Sequence, residues 1–260
     1  MLRSLEVAKT GLEAQQAQLD VVSNNLANVS TTGFKKSRAV FQDLLYDNIR
    51  APGSASSQTS TLPAGLQLGN GSQVIGTSRN FTPGTTVVTG NPFDLSISGP
   101  GFFQVQLPNG TSAYTRDGTF KLNADGAMVT IDGYPVTPQI TVSGITPDSV
   151  AIGRDGLVTG FDSTGQLQQI GQVQISSFIN QAGLRALGGN LYAETTASGQ
   201  AVTGNPGANG LGEITQKSLE NSNVNVAEEL VNLISAQRAF EIASRAISSS
   251  DQILQKLGQL

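Results

Sequence analysis

Apolar residues recur every seven positions at both ends of this chain, and no other feature constrains its fold as tightly. At the N-terminus Leu5, Leu12, Leu19 and Leu26 make one row, and Ala8, Val22 and Val29 make a second that only Gln15 interrupts. At the C-terminus Val226, Leu233, Phe240, Ile247 and Leu254 repeat the interval. Leu230 widens that flank, and Ile234, Ile253 and Leu257 add apolar surface on an adjoining side. The companion row there reads Gln237, Ser244 and Asp251, so the seam is narrow. Side chains seven apart return to nearly the same face of an α-helix, so each end reads as an amphipathic, coiled-coil-like helix. The first spans residues 2–29, about 42 Å at 1.5 Å per residue, with Gly33 as its stop signal. Asn223 or Asn225 caps the second, and Glu228 and Glu229 suit the positive end of its dipole. One pair of such helices leaves much of each stripe facing water, so further partners are required, either a β domain or other copies of the chain.

Between the helices the grammar changes. Short β-branched or aromatic runs such as GFFQVQL, SAYTR, TFKLN, AMVTI and GQVQISSF are separated by Asn109-Gly110, Asp117-Gly118, Asp125-Gly126, Asp132-Gly133 and Asp155-Gly156. Such dipeptides are hairpin turns, and the pattern is that of antiparallel β structure in a barrel or sandwich. The fold class is therefore α+β. The chain divides into an N-terminal helical segment (1–33), a connecting region (34–90), a β-rich domain (91–190), a return connector (191–222) and a C-terminal helical segment (223–260). Two stretches rich in Gly, Ser, Thr and Pro, from Ala51 and from Thr195, read as linkers when taken alone.

Composition removes most chemistry. With 0 Cys and 0 His there is no disulfide, no thiolate and no Ser-His-Asp or Cys-His triad, and a metal would find only oxygen ligands. A net charge of -4 makes no footprint for a phosphate backbone, so nucleic acid is not an expected partner. Lys35, Lys36 and Arg38 are the densest basic cluster and read as a solvated or salt-bridged turn. The position before Asp125-Gly126 that an EF-hand would open with is Lys121, so the Asp-Gly pairs are turn chemistry. Gly207, Gly210 and Gly212 lead into EITQKSLE and not into a phosphate-binding Gly-Lys-Ser/Thr. No two carboxylates stand out as a glycosidase pair, and 0 Trp with 4 Tyr makes a thin sugar platform. Catalytic, cofactor and metal residues are therefore expected to be none. No apolar run approaches the ~20 residues of a membrane span, and the N-terminus lacks the apolar core of a cleaved signal peptide.

The string NNLANVSTTGFKKSR resembles the N-terminal signature of the flagellar rod and hook protein family, carried by Asn24, Asn25, Leu26, Ala27, Asn28, Gly33 and Phe34. ENSNVNVAEELVNLISAQRAFEIASRAISSSDQILQKL is similar to the matching C-terminal motif, and AKTGL, GFFQV, YTRDGTF and IGRDG fall between them. Ser30 and Glu6 are minor departures. The length resembles that of a rod member, since hook proteins usually carry further outer domains. Residues 46–69 are similar to an insertion typical of one rod branch, marked by Tyr46, Arg50, Pro52, Leu62, Pro63 and Gly65. The resemblance implies a structural subunit and no enzyme. It would polymerise into a helical tube lined by the terminal helices, leave the cell through the flagellar type III export apparatus, and cross the periplasm. The implied neighbours are the proximal rod proteins, the hook protein and the bushing of P and L rings, and the implied work is to carry torque. A neighbouring axial protein is the alternative, and a peptidoglycan-acting enzyme the reading from another class. Residues 51–65 are expected to become ordered only between copies and to stiffen the polymer.

Overall fold

The N-terminal periodicity becomes α1 (Leu2–Ala27) and the C-terminal one becomes α2 (Val226–Leu257). The computed structural model describes residues 2–53, 64–162 and 164–257. Side chains at 2, 4, 251, 254 and 257 also fall outside that description, so Leu254 is placed on α2 by its backbone alone. Asn225 is the residue that caps α2, its Oδ1 accepting the Ala227 N–H at 3.0 Å and the Glu228 N–H at 3.4 Å. Asn223 is engaged elsewhere. Among the described residues no helix is long and apolar enough to cross a membrane.

Chain contacts divide the protein into two units, Met1–Ala27 with Ser37–Ser78 and Asn225–Leu260, and Asn28–Lys36 with Arg79–Val224. In the first, α1 and α2 pack on each other and α1 packs on β1 (Ser37–Asp43). Ala14 and Val22 are buried on α1, Glu229 and Ala236 on α2. The buried side of α2 thus runs through Glu229, Leu233, Ala236, Ala243 and Ile247, while Gln237 and Ser244 are exposed. The row beside Leu233 is therefore one position away from the polar row read from sequence. Their steps of four, three, seven and four follow a helix of 3.6 residues per turn, and alanine lets the helices approach closely.

Two further strands, β2 (Asp47–Arg50) and β3 (Leu66–Leu68), flank the stretch 51–65 that reads as linker. They pair antiparallel, with Asp47 opposite Leu68 and Arg50 opposite Leu66. A fourth strand, β4 (Ser72–Arg79), pairs with β1.

The second unit is built on a six-stranded antiparallel sheet in the order Arg185–Gly188, Leu191–Ala193, Ser112–Thr115, Phe102–Gln106, Ile175–Ser177 and Val202–Gly204. Shorter antiparallel pairs surround it, among them Leu95–Ser98 with Glu213–Gln216 and Thr86–Val88 with Ser218–Glu220. Alternation puts Phe103 and Val105 into a core with Leu95, Phe120, Ile140, Val173, Ile175 and Ile214. On the other side Phe102, Tyr114, Phe178 and Tyr192 form a smaller aromatic cluster. The turn before Ala127 shows what the Asp-Gly pairs do. Asn123 Oδ1 takes the N–H groups of Asp125 and Ala127, which closes the turn, and Gly126 adopts φ 74°.

Candidate functional site

The first unit leaves a long apolar surface open. On α2, Val226, Leu230, Val231, Ile234, Phe240, Ile242 and Ile253 are all exposed, Ile242 to 68% and Val231 to 62%. A patch of this size on one helix marks an interaction surface, since each large side chain removed from water is worth about 1.5–3 kcal/mol. Residues singled out by periodicity thus fall into two groups. Leu5, Leu12, Leu19, Val22, Leu26, Leu233 and Ile247 are buried or half-buried within the unit, whereas Val226, Leu230 and Phe240 remain accessible. Seven-residue counting missed Val231 and Ile242, which lie off the chosen rows and only gain meaning once the covered side of α2 is known.

The motif residues at the end of α1 divide between the two units. Asn24 and Ala27 are exposed, Leu26 half-buried and Asn25 fully buried. Asn25 Oδ1 accepts the Ser37 N–H at 2.9 Å and its Nδ2 donates to the Ser37 carbonyl at 2.8 Å, so its amide pairs with the start of β1 as a neighbouring strand would. The same Nδ2 donates to Glu229 Oε2 at 3.3 Å, joining the last turn of α1 to the first turn of α2. In the second unit Asn28 Oδ1 accepts the Thr31 hydroxyl at 3.1 Å, and the Phe34 carbonyl accepts the Asn223 N–H at 3.4 Å.

Gly33 follows α1 by six residues and does not stop it. It sits at φ 68° with its N–H donating to the Glu220 carbonyl at 2.7 Å. A Cβ there would meet the Asp117 nitrogen at 2.7 Å and the Arg116 carbonyl carbon at 2.8 Å. Gly33→Ala is therefore expected to destabilise the β unit by at least about 2 kcal/mol, combining left-handed strain with backbone displacement. Urea unfolding followed by far-UV circular dichroism measures this, and an unchanged midpoint would show that the loop yields freely.

Beside it lies a buried ionic cluster, in which Lys35 takes the salt-bridged of the two alternatives its sequence offers. Lys35 is 0% exposed, not a solvated turn residue. Its Nζ donates to Glu220 Oε1 at 2.5 Å and to the Thr82 carbonyl at 2.9 Å. Glu220 Oε1 also accepts the Gly84 N–H at 2.9 Å, and its Oε2 lies 3.5 Å from Arg116 Nη1. Arg116, equally buried, donates to the carbonyls of Ile97 and Gly99, and its guanidinium lies over the Phe102 ring. Desolvation lowers the pKa of the Lys35 ammonium from the usual lysine value; Glu220 opposes that shift and Arg116 adds to it. Partners 185 residues apart leave no local spacing to read, which is why sequence reasoning did not find Glu220 or Arg116. The backbone of Lys36 is fixed as well. Its N–H donates to Asn223 Oδ1 at 2.7 Å and its carbonyl accepts the Asn80 N–H at 2.9 Å.

The remaining sequence-nominated residues lie on the hairpin of the first unit. Tyr46, Arg50 and Pro52 are exposed, and Gly65 is half-buried where a Cβ would meet the Arg50 carbonyl at 2.5 Å. Leu62 and Pro63 lie outside the described residues.

Three family descriptions match the chain: "Flagella basal body rod protein" over residues 5–35, "Flagellar hook protein FlgE/F/G D1 domain" over 96–160 and "Flagellar basal body rod FlgEFG protein C-terminal" over 215–260. The flagellar basal-body rod protein FlgG of Buchnera aphidicola subsp. Schizaphis graminum is 53% identical over 100% of both chains. The flagellar basal-body rod protein FlgF of Caulobacter vibrioides is 34% identical over 94% of this chain and 93% of its own. Among solved structures, the Helicobacter pylori flagellar hook protein FlgE2 matches with a TM-score of 0.24 at 16% identity, over 72% of this chain and 43% of that one. A likeness that weak carries no argument about architecture.

Proposed function

The chain belongs to the flagellar basal-body rod protein family, and on that premise we propose that it is the structural subunit of the distal rod, polymerising into a helical tube that transmits torque and serves as an export channel. The observation that carries this reading is the end-to-end correspondence to a rod protein at 53% identity. The uncovered apolar side of α2 supports it physically, because heterologous contacts that do not close generate an open helix of repeated subunits. In this arrangement segments 1–33 and 223–260 form a coiled-coil-like inner wall and residues 91–190 form the body of the outer domain, while 191–222, which the sequence offers as a return connector, adds strands to its sheets and 34–90 is the connecting region. The subunit leaves the cytoplasm through the flagellar type III apparatus without a cleaved signal and stands in the periplasm. Its neighbours there are the proximal rod proteins, the hook protein and the P-ring and L-ring bushing. No catalytic step is required of it. Imaging isolated basal bodies that carry a labelled copy tests the assignment: label along the rod between its proximal end and the hook agrees with it, and label confined to the proximal rod or to the hook overturns it.

Residues 46–69 give the rod its stiffness in this reading. The paired strands β2 and β3 flank the polar stretch 51–65, of which 54–63 lie outside the described residues, and in this reading that stretch meets neighbouring copies and blocks the sliding that bending requires. Deleting 51–65 is expected to leave polymerisation intact while making the rods curved or flexible in electron micrographs. Straight rods of ordinary stiffness from the deletion would leave the segment a passive linker.

A further inference from the structure

The hairpin of β2 and β3 has almost no core of its own. Every residue of both strands is exposed, and a two-stranded ribbon is marginal in water. What holds its base is a set of polar contacts that converge on the first turn of α1. Arg3 Nη1 donates to Asp47 Oδ2 at 3.1 Å, and Nη2 donates to the Leu68 carbonyl at 2.7 Å and to Asn70 Oδ1 at 2.9 Å. Asp47 and Leu68 are the register pair at the base of the hairpin, so one guanidinium bonds both strands at the same rung. Asn70 in turn donates to the Leu45 carbonyl at 2.7 Å, and the Leu44 N–H donates to the Gly71 carbonyl at 2.9 Å. Gly71 lies so close to α1 that a Cβ would collide with the Thr10 hydroxyl.

An exposed Arg–Asp pair alone is worth little. Arg3 differs because its planar fork spreads over three acceptors, one in each strand of the hairpin and one on Asn70 just after β3, and its side chain is only 33% exposed. We infer that Arg3 is the positioning residue that fastens the β2–β3 hairpin to α1, so that the hairpin is set in place only where the first turn of α1 has formed. The inference rests on the proposal that this hairpin stiffens the rod. It adds that the stiffening segment and the terminal helix order together, because the only cation reaching both strands is carried on that helix among the described residues. A lysine could keep the ion pair with Asp47 but not the fork to Leu68 and Asn70.

Trypsin treatment of isolated rods reads the hairpin directly, since Arg50 lies at the end of β2. Rods carrying Arg3→Ala should be cut after Arg50 about tenfold faster than wild type, which corresponds to a shift of about 1.4 kcal/mol in the opening equilibrium when reclosing outpaces cleavage. Arg3→Lys should recover part of the protection. Lys9→Ala, which removes only the Lys9–Glu13 pair on the surface of α1, should leave cleavage at the wild-type rate. Arg3→Ala rods cut no faster than wild type, or no faster than Lys9→Ala rods, would overturn the anchor. The stiffness reading fails separately: if Arg3→Ala opens the hairpin but those rods and the 51–65 deletion rods all stay straight, the anchor stands and the stiffening role does not.

Discussion

Replacing Glu220 with alanine is expected to lower the melting temperature of the β unit by about 10 °C or more and to leave it partly unfolded at physiological temperature. The reason is charge left behind. Lys35 and Arg116 are both fully enclosed, and Glu220 is the anion that faces both of them. Removing one partner from a buried ionic cluster costs about 3–5 kcal/mol, a large share of the 5–15 kcal/mol that a domain holds in total. Glu220→Ala also strips an acceptor from the Gly84 N–H. The conservative Glu220→Gln keeps the shape and that acceptor, so its loss should be smaller. Exchanging all three side chains for apolar ones, as in Lys35→Met, Arg116→Met and Glu220→Leu together, should recover much of the stability, because desolvation offsets most of what such a cluster contributes. Scanning calorimetry of the three proteins checks this ordering. A Glu220→Ala protein melting with wild type would mean that water enters the cluster and no buried charge is left unpaired.

This cluster also marks where reading the sequence stops. A seven-residue interval is a property of neighbouring positions, so α1 and α2 were legible from Leu5 to Leu26 and from Val226 to Leu254, as were turns such as the one closed by Asn123. Between Asn223 and Asn225 the same spacing could not choose, because both precede α2. Only the structure shows Asn223 already engaged with Lys36, Asn80 and Thr82. Gly33 was legible as a special residue but not for its reason, which is the approach of Arg116 and Asp117 from another part of the chain. For Lys35 the spacing could not choose between a solvated and a salt-bridged turn, because the partner that decides it arrives on the strand Ser218–Glu220. Pairings across long separations set the order of the six-stranded sheet as well, and no local period encodes them.

The largest functional loss is expected from Ile242→Asp combined with Ile234→Asp. Both side chains are exposed on α2, at 68% and 48%, on a helix whose covered side is already occupied by α1. In the separated subunit an aspartate at either position stays in water, so the fold should be unharmed and far-UV circular dichroism unchanged. In the polymer every copy would bury the same two carboxylates against its neighbour, and an unpaired buried charge costs several kcal/mol at each repeated contact. Because the penalty recurs at every subunit, elongation should fail outright. Swimming should cease and no rods should be recovered. Leu233→Asp provides the contrast, since Leu233 is half-buried within the unit. It should abolish assembly too, but by loosening α1 from α2, and so with a loss of helical signal wherever that pairing exists before assembly. Normal rods from the Ile234→Asp, Ile242→Asp double variant would show that this side of α2 faces water in the polymer. The contacts between copies would then have to come from α1 and the β unit.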